Sequence, residues 1–77
     1  MMTAEQIRAL LHRQPFRPFR FHLTDGRTFD IRHPEMILVL RGAVDIGLTD
    51  GTESTIPDRV ERVSLIHVVS VEELQPA

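Results

Sequence analysis

Residues 15–31, PFRPFRFHLTDGRTFDI, most constrain what this chain can fold into, because two segments alternate apolar and polar residues around an Asp-Gly pair. Such alternation is typical of β-strands that bury one face. The apolar residues of that face are Phe19, Phe21 and Leu23 before the turn, and Phe29 and Ile31 after it. The stretch therefore predicts an antiparallel hairpin on which a small β-rich core is built.

Strand parity decides the length of the turn. A two-residue loop would split the apolar set across both faces of the hairpin, whereas a three-residue loop at 24–26 pairs Phe21 with Phe29 and keeps one apolar face. A three-residue loop is a type I turn with a bulge, and its third residue adopts the left-handed conformation. Gly26 stands at that position, so we expect a bulged hairpin.

The chain before the hairpin predicts a short helix from Thr3 to Arg13. Thr3 and Gln6 have the spacing of a capping box, which satisfies backbone N–H groups of the first turn. The apolar stripe needed for docking consists of Ile7, Leu10 and Leu11. Pro15 is expected to end the helix, since the residue before a proline avoids the α region.

The chain after the hairpin predicts further strands. Residues 36–40 form an unbroken apolar run, which indicates a strand buried on both faces or a strand with a dimer contact on one. Apolar residues alternate along 44–48, and the repeated Leu-Thr-Asp-Gly at 48–51 predicts a second bulged hairpin leading into a strand at 52–56. A last strand is expected near 68–72, preceded by a segment that suits either helix or strand.

These elements predict a single domain over residues 1–77, with a helix at about 3–13 and a β meander over about 18–72. The expected class is mainly β with one N-terminal helix. A five-stranded meander of this size tends to close as an SH3/Sm-like small barrel or to curl strongly, because either arrangement reduces exposed strand edges.

Composition limits the environment of the chain. It has no cysteine, which excludes disulfides and thiolate metal sites. No apolar run approaches the roughly 20 residues that span a bilayer, and the first residues lack the layout of a secretion signal. We therefore expect a cytoplasmic protein without a membrane partner.

Charge is unevenly distributed along the chain. Residues 1–41 carry seven arginines and four acidic residues, or +3, whereas residues 42–77 carry two arginines and seven acidic residues, or −5. All nine basic residues are arginine, and the net charge is −2. A dedicated nucleic-acid domain has a more basic balance.

Catalytic and metal-binding patterns are missing from the sequence. His12, His22, His33 and His67 do not have the spacing of metal ligands. Asp25 and Asp50 occupy turn positions that favour Asp for local hydrogen bonds. The serines have no nucleophile elbow around them: Ser54, Ser64 and Ser70. The sequence predicts no catalytic residue, cofactor or metal, and hence no enzyme.

A candidate binding face combines arginines with aromatic residues. Its members are Phe16, Arg17, Arg20, His22 and Arg27. Arginines interleaved with aromatics suit single-stranded nucleic acid. The hairpin register assigns the other phenylalanines to the core, which leaves Phe16 to stack, and it sets Arg20 opposite Asp30.

Gln14-Pro15-Phe16-Arg17-Pro18-Phe19, followed by His22-Leu23, Asp25-Gly26-Arg27 and His33-Pro34-Glu35, resembles a family of small uncharacterised bacterial proteins. Members begin with a short helix and end with an apolar strand. The resemblance covers most of the chain and implies no known activity, cofactor or catalytic residue.

The Leu23-to-Gly26 turn after a helix and a strand is also similar to the first motif of Sm-like (Hfq-type) proteins, and residues 65–71 resemble their second motif. Ile31 stands where their first motif has its second glycine, and the chain has no lysine. This resemblance implies an SH3/Sm-like barrel and an RNA-binding ring.

The function expected from the sequence is a small non-catalytic intracellular binding or interaction module of unknown partner, with a second copy of the chain and another protein both left open. The alternatives are an Sm-like RNA-binding ring subunit and a structural homo-oligomer.

Overall fold

The structure is a computed structural model that describes residues 2–49 and 56–75. The described residues form one helix, α1 (Ala4–Leu11), and six strands. The strands are β1 (Phe19–Leu23), β2 (Thr28–Ile31), β3 (Ile37–Val39), β4 (Ala43–Leu48), β5 (Arg59–Ser64) and β6 (Val68–Glu73). No helix among them is long and apolar enough to cross a bilayer.

Helix α1 begins with the predicted capping box. Gln6 N donates to Thr3 Oγ1 at 3.1 Å, and Thr3 N donates to Gln6 Oε1 at 2.9 Å. Ile7 is fully buried and docks the helix on the sheets, while Leu10 and Leu11 are half-buried. The helix ends two residues earlier than predicted, with His12 as its C-cap, and Thr3 is its N-cap.

The hairpin of β1 and β2 has the predicted register. Phe21 pairs with Phe29, Arg20 with Asp30 and Phe19 with Ile31. The turn spans residues 24–26, and Gly26 has a φ of 88°, which is the left-handed conformation expected at its third position. The three-residue bulged turn predicted from parity is confirmed.

The strands form two antiparallel three-stranded sheets, in the orders β2-β1-β6 and β3-β4-β5. Short 3-10 turns connect the two sheets. One, Pro34–Met36, joins β2 to β3, and the other, Leu65–His67, joins β5 to β6. The prediction of a mainly β fold with one N-terminal helix is confirmed. The described residues do not form five strands closed into a barrel or curled into a single meander, because both 3-10 turns interrupt the ladder.

The apolar run at 36–40 is not buried on both faces, so that expectation was wrong. Met36 ends a 3-10 turn, and β3 retains three residues. Ile37 is 8% exposed and faces the core, whereas Leu38 is 61% exposed and pairs with Asp45 on the outer face. An edge strand with one buried face accounts for this run.

The second half of the chain differs from its prediction in one strand. Strand β5 pairs with β4 over Arg59–Ser64 and replaces the ambiguous segment before the last strand. Strand β6 confirms the predicted final strand and extends it by one residue, to Glu73. Most of the predicted second turn at 48–51, including Asp50, and most of the predicted strand at 52–56 lie at residues 50–55, outside the described part.

The core lies between the two sheets and α1. Its buried members are apolar without exception among the described residues. They are Ile7, Phe19, Phe21, Leu23, Ile31, Ile37, Val44, Ile46, Val63, Leu65 and Val68. Within residues 2–49 and 56–75, the polar groups available for binding therefore lie on the surface or at its edge.

Candidate functional site

Arg20, a predicted contact residue, lies on the outer face of β1 and is bound to Asp30. Its Nε and Nη2 donate to Asp30 Oδ1 and Oδ2 at 2.6 and 3.0 Å, the two-pronged geometry in which arginine binds carboxylate best. The hydrogen bond from Arg20, with its positive charge, lowers the pKa of Asp30. The cross-strand pair expected from the register is present.

His22, also predicted as a contact, extends the same network. Its Nε2 lies 2.9 Å from Glu72 Oε1 on β6, and Arg20 Nη1 lies 3.8 Å from the same oxygen. Arg32 adds a contact of 3.6 Å to Asp30. The outer face of this sheet therefore alternates both signs of charge and presents no isolated cation to a ligand.

Arg27 lies at the hairpin turn and contacts three other residues. Its Nε donates to Asp25 Oδ2 at 2.8 Å, its Nη1 donates to Glu61 on β5, and the guanidinium lies 5.7 Å from the ring centroid of Phe29. Hydrogen bonds from the Arg27 backbone and side chain lower the pKa of Asp25. Arg27 thus joins the first hairpin to the second sheet.

Phe16 and Arg17 lie at the other end of β1, apart from Arg27. Phe16 is half-buried, with its ring centroid 6.1 Å from that of Phe19. Arg17 is exposed, and its Nη1 donates to Glu73 Oε1 at 3.0 Å. The structure therefore divides the predicted binding face into three places: the sheet surface, the turn and the linker.

The linker end contains a site that the sequence did not reveal. Arg13 Nη1 lies 3.8 Å from Glu73 Oε2, so that two guanidiniums converge on one carboxylate. These three charged groups border an open groove of about 370 Å³ between α1 and β6, here called the α1–β6 groove. Its apolar lining includes Ala9, Leu10, Phe19 and Val71.

A second groove of about 660 Å³ is also bordered by Arg17 and Glu73. It is lined by Pro15, Phe16, Pro18 and Leu74, and is here called the proline groove. Leu74 N donates to Pro18 O at 2.9 Å, which fixes the chain end after β6 against the linker. One ion pair therefore borders two grooves with apolar linings.

The sequence contained an indirect signal for this arrangement. The basic N-terminal half and the acidic C-terminal half pair with each other across the fold. Contacts of this kind join Arg13 and Arg17 to Glu73, Arg20 to Glu72, and Arg27 to Glu61. The opposite charges of the two halves could have predicted such pairing, but not which residues meet.

The histidine and acidic side chains of the described residues are not arranged as a metal site. Across residues 2–49 and 56–75, no three histidine or acidic side chains converge as metal ligands. His67 Nδ1 lies 3.3 Å from Thr24 Oγ1, and His22 contacts Glu72, so both histidines have partners. Asp50 and Ser54 lie outside the described part.

Comparison of the chain with protein-family models, with curated proteins and with solved structures finds no match.

Proposed function

We propose that this chain is a small non-catalytic binding module whose partner is another protein. One observation carries the proposal: Arg20 and Arg27, which would form a nucleic-acid surface, are bound to carboxylates of the chain itself, while grooves with apolar linings remain open beside α1 and beside the linker. Protein partners are recognised through apolar side chains buried in such grooves, with charged groups at the rim.

The charge of the first sheet argues against a phosphate ligand. Asp30 and Glu72 lie beside Arg20 and His22 on the outer face. A phosphate that approached these cations would therefore be repelled by the neighbouring carboxylates. Nucleic-acid affinity depends on the release of counterions by unpaired cations. Paired arginines supply little of that energy.

The connectivity of the strands supports a second candidate. If β2 and β3 are counted as one bent strand, the sheets follow the order of an SH3/Sm-like barrel, with a 3-10 turn before the last strand. This arrangement favours the Sm-like RNA-binding ring subunit as the alternative function. Exposed apolar side chains favour a structural homo-oligomer as another: Leu38, Val60, Ile66 and Val69.

Titration of fluorescently labelled oligouridine separates the protein-binding function from the RNA-binding one. Anisotropy is measured with micromolar protein at about 50 mM and about 200 mM salt, a range over which phosphate contacts lose most of their affinity. The proposal predicts no salt-sensitive binding. Saturable binding at low salt that disappears at the higher salt would support the RNA-binding alternative instead.

Sedimentation equilibrium tests the oligomeric alternatives with the same protein. A ring or a structural homo-oligomer requires a mass that is a multiple of 8.8 kDa, whereas a module that binds a different protein is compatible with the chain mass at all concentrations.

A further inference from the structure

We infer that the Arg17–Glu73 pair and the two grooves beside it bind an extended segment of a partner protein, in which an acidic residue lies between apolar residues. This inference rests on the proposed function and names the chemistry of its ligand. The segment would place one apolar side chain in the α1–β6 groove, its carboxylate at the arginines, and a second apolar side chain in the proline groove.

The charge balance at the site selects an acidic ligand. Arg13 and Arg17 carry two positive charges and Glu73 one negative charge, so the rim keeps a surplus of +1 in a chain whose net charge is −2. A carboxylate entering there neutralises the surplus, whereas a basic segment would add to it. Electrostatic complementarity of this kind determines which partner is accepted.

Most of the hydrogen-bond donors of Arg13 and Arg17 are also unused. A guanidinium has five N–H donors. Arg17 donates one hydrogen bond to Glu73, and the 3.8 Å separation between Arg13 and Glu73 is too long for one. By contrast, Arg20 and Arg62 each donate two hydrogen bonds to an aspartate. Arg13 and Arg17 can therefore bind a ligand carboxylate without breaking a two-pronged pair, and they do so beside the two grooves.

The apolar linings explain why the ligand is a protein segment. Leu10 and Val71 are half-buried, so apolar surface remains accessible in the α1–β6 groove, and Phe16 supplies a half-buried aromatic ring to the proline groove. An extended chain directs alternate side chains to the same side. A segment in which one residue separates the acidic residue from each apolar residue can therefore direct all three side chains to the protein, into both grooves and onto the ion pair.

The experiment is a selection of random short peptides, displayed on phage, against immobilised full-length protein. The inference predicts that enriched peptides contain Asp or Glu between apolar residues. A representative peptide is then synthesised, together with a version in which its acidic residue is replaced by the corresponding amide, and both are titrated by fluorescence anisotropy.

Variants of the protein locate the binding site. Arg13→Gln combined with Arg17→Gln is expected to lower the affinity for the acidic peptide by on the order of tenfold or more. This is the loss that follows removal of a charge-assisted hydrogen bond. Arg8→Gln is the matched control, because Arg8 lies exposed on α1 and has no ion pair within the described residues. It removes one positive charge, as Arg13→Gln or Arg17→Gln does alone, and should leave affinity nearly unchanged.

Glu73→Gln provides a result that structural damage cannot imitate. Glu73 competes with the ligand carboxylate for the same guanidiniums, so its neutralisation should strengthen binding of the acidic peptide severalfold. If Glu73 merely held the site together, the same change would weaken binding. Thermal melting of each variant confirms that the comparison is made between folded proteins.

Several outcomes overturn the inference. These are a selection that enriches no peptide, enrichment of basic or uncharged peptides, and an acidic peptide whose affinity is unaffected by the Arg13 and Arg17 changes. A dimer that the double variant converts to monomer would assign the grooves to a second copy and also overturn it. Acidic peptides that bind elsewhere overturn the inference but leave the proposed function intact, since RNA titration decides that function separately.

Discussion

Arg27, in the loop that joins β1 to β2, donates a hydrogen bond to Glu61 on β5, so one guanidinium connects the first hairpin to the second sheet. The same guanidinium is bound to Asp25 within the loop. A residue that resembled a ligand contact in the sequence therefore joins two parts of the fold.

The Arg27–Glu61 contact predicts a measurable coupling in stability. Arg27→Gln and Glu61→Gln should each lower the melting temperature by a few degrees, and the double variant should lose less than the sum, because both changes remove the same interaction. Salt should reduce the coupling, since the guanidinium is about half exposed. Additive losses in a double-mutant cycle would show that the contact contributes nothing to stability.

The hairpin turn predicts a contrast between two glycines. Gly26→Ala should cost about 1–2 kcal/mol of unfolding free energy, because an L-residue is strained in the left-handed conformation. Gly42→Ala is the control: its φ is not positive and an added Cβ meets no atom within 4 Å. It should change stability by less than about 0.5 kcal/mol. Equal costs in urea unfolding would contradict the turn geometry.

Neighbouring residues of β3 test the one-sided burial of that strand. Ile37→Ala should cost about 2–5 kcal/mol, as expected for a large buried aliphatic side chain. Leu38→Ala should cost less than about 1 kcal/mol, because 61% of Leu38 is exposed. A large cost at Leu38 that depends on protein concentration would instead support the dimer contact considered for this run.

Ion pairs of three aspartates predict how stability depends on pH. Hydrogen bonds from Arg27, Arg20 and Arg62 lower the pKa values of Asp25, Asp30 and Asp45 respectively. Because the folded pKa values lie below the unfolded value of about 3.9, the unfolded state binds more protons, and stability rises with pH in that range. The contribution is complete above about pH 5 and is lost as pH falls through the folded values.

Asp30→Asn tests this dependence by urea unfolding at several pH values. The variant should be less stable than the wild type near neutral pH, and the two curves should converge in acid, where the wild-type carboxyl is protonated. Glu35→Gln serves as control, because Glu35 has no ion pair among the described residues. A constant difference between wild type and Asp30→Asn at all pH values would contradict the assigned pairing.

Local chemistry made the N-terminal third of the fold predictable. A capping box specifies the start of α1 through two hydrogen bonds three residues apart, and strand parity allows one loop length that keeps Phe21 and Phe29 on the same face. The pairing of Arg20 with Asp30 follows from that register. In each case the partners lie within ten residues of each other.

The second half was less predictable because its burial pattern is incomplete. Strand β5 has a single buried residue, Val63, while Val60 points outward and is 63% exposed, which obscures the period of two. The division into two sheets depends on 3-10 turns that apolar periodicity does not encode. The Arg17–Glu73 pair joins residues 56 positions apart, and its only sequence signal is the opposite charge of the two halves.

The most direct test of the proposed binding site is a titration of ¹⁵N-labelled protein with a selected acidic peptide, followed by two-dimensional ¹H–¹⁵N NMR. If the peptide binds at the two grooves, the largest amide shifts are expected on α1, in the linker and at the end of β6. The residues expected to respond are Leu10, Arg13, Arg17, Val71 and Glu73, with His22, Thr28 and Ser70 unchanged. Shifts concentrated on the outer face at His22 and Ser70, with the α1–β6 groove unaffected, would contradict it.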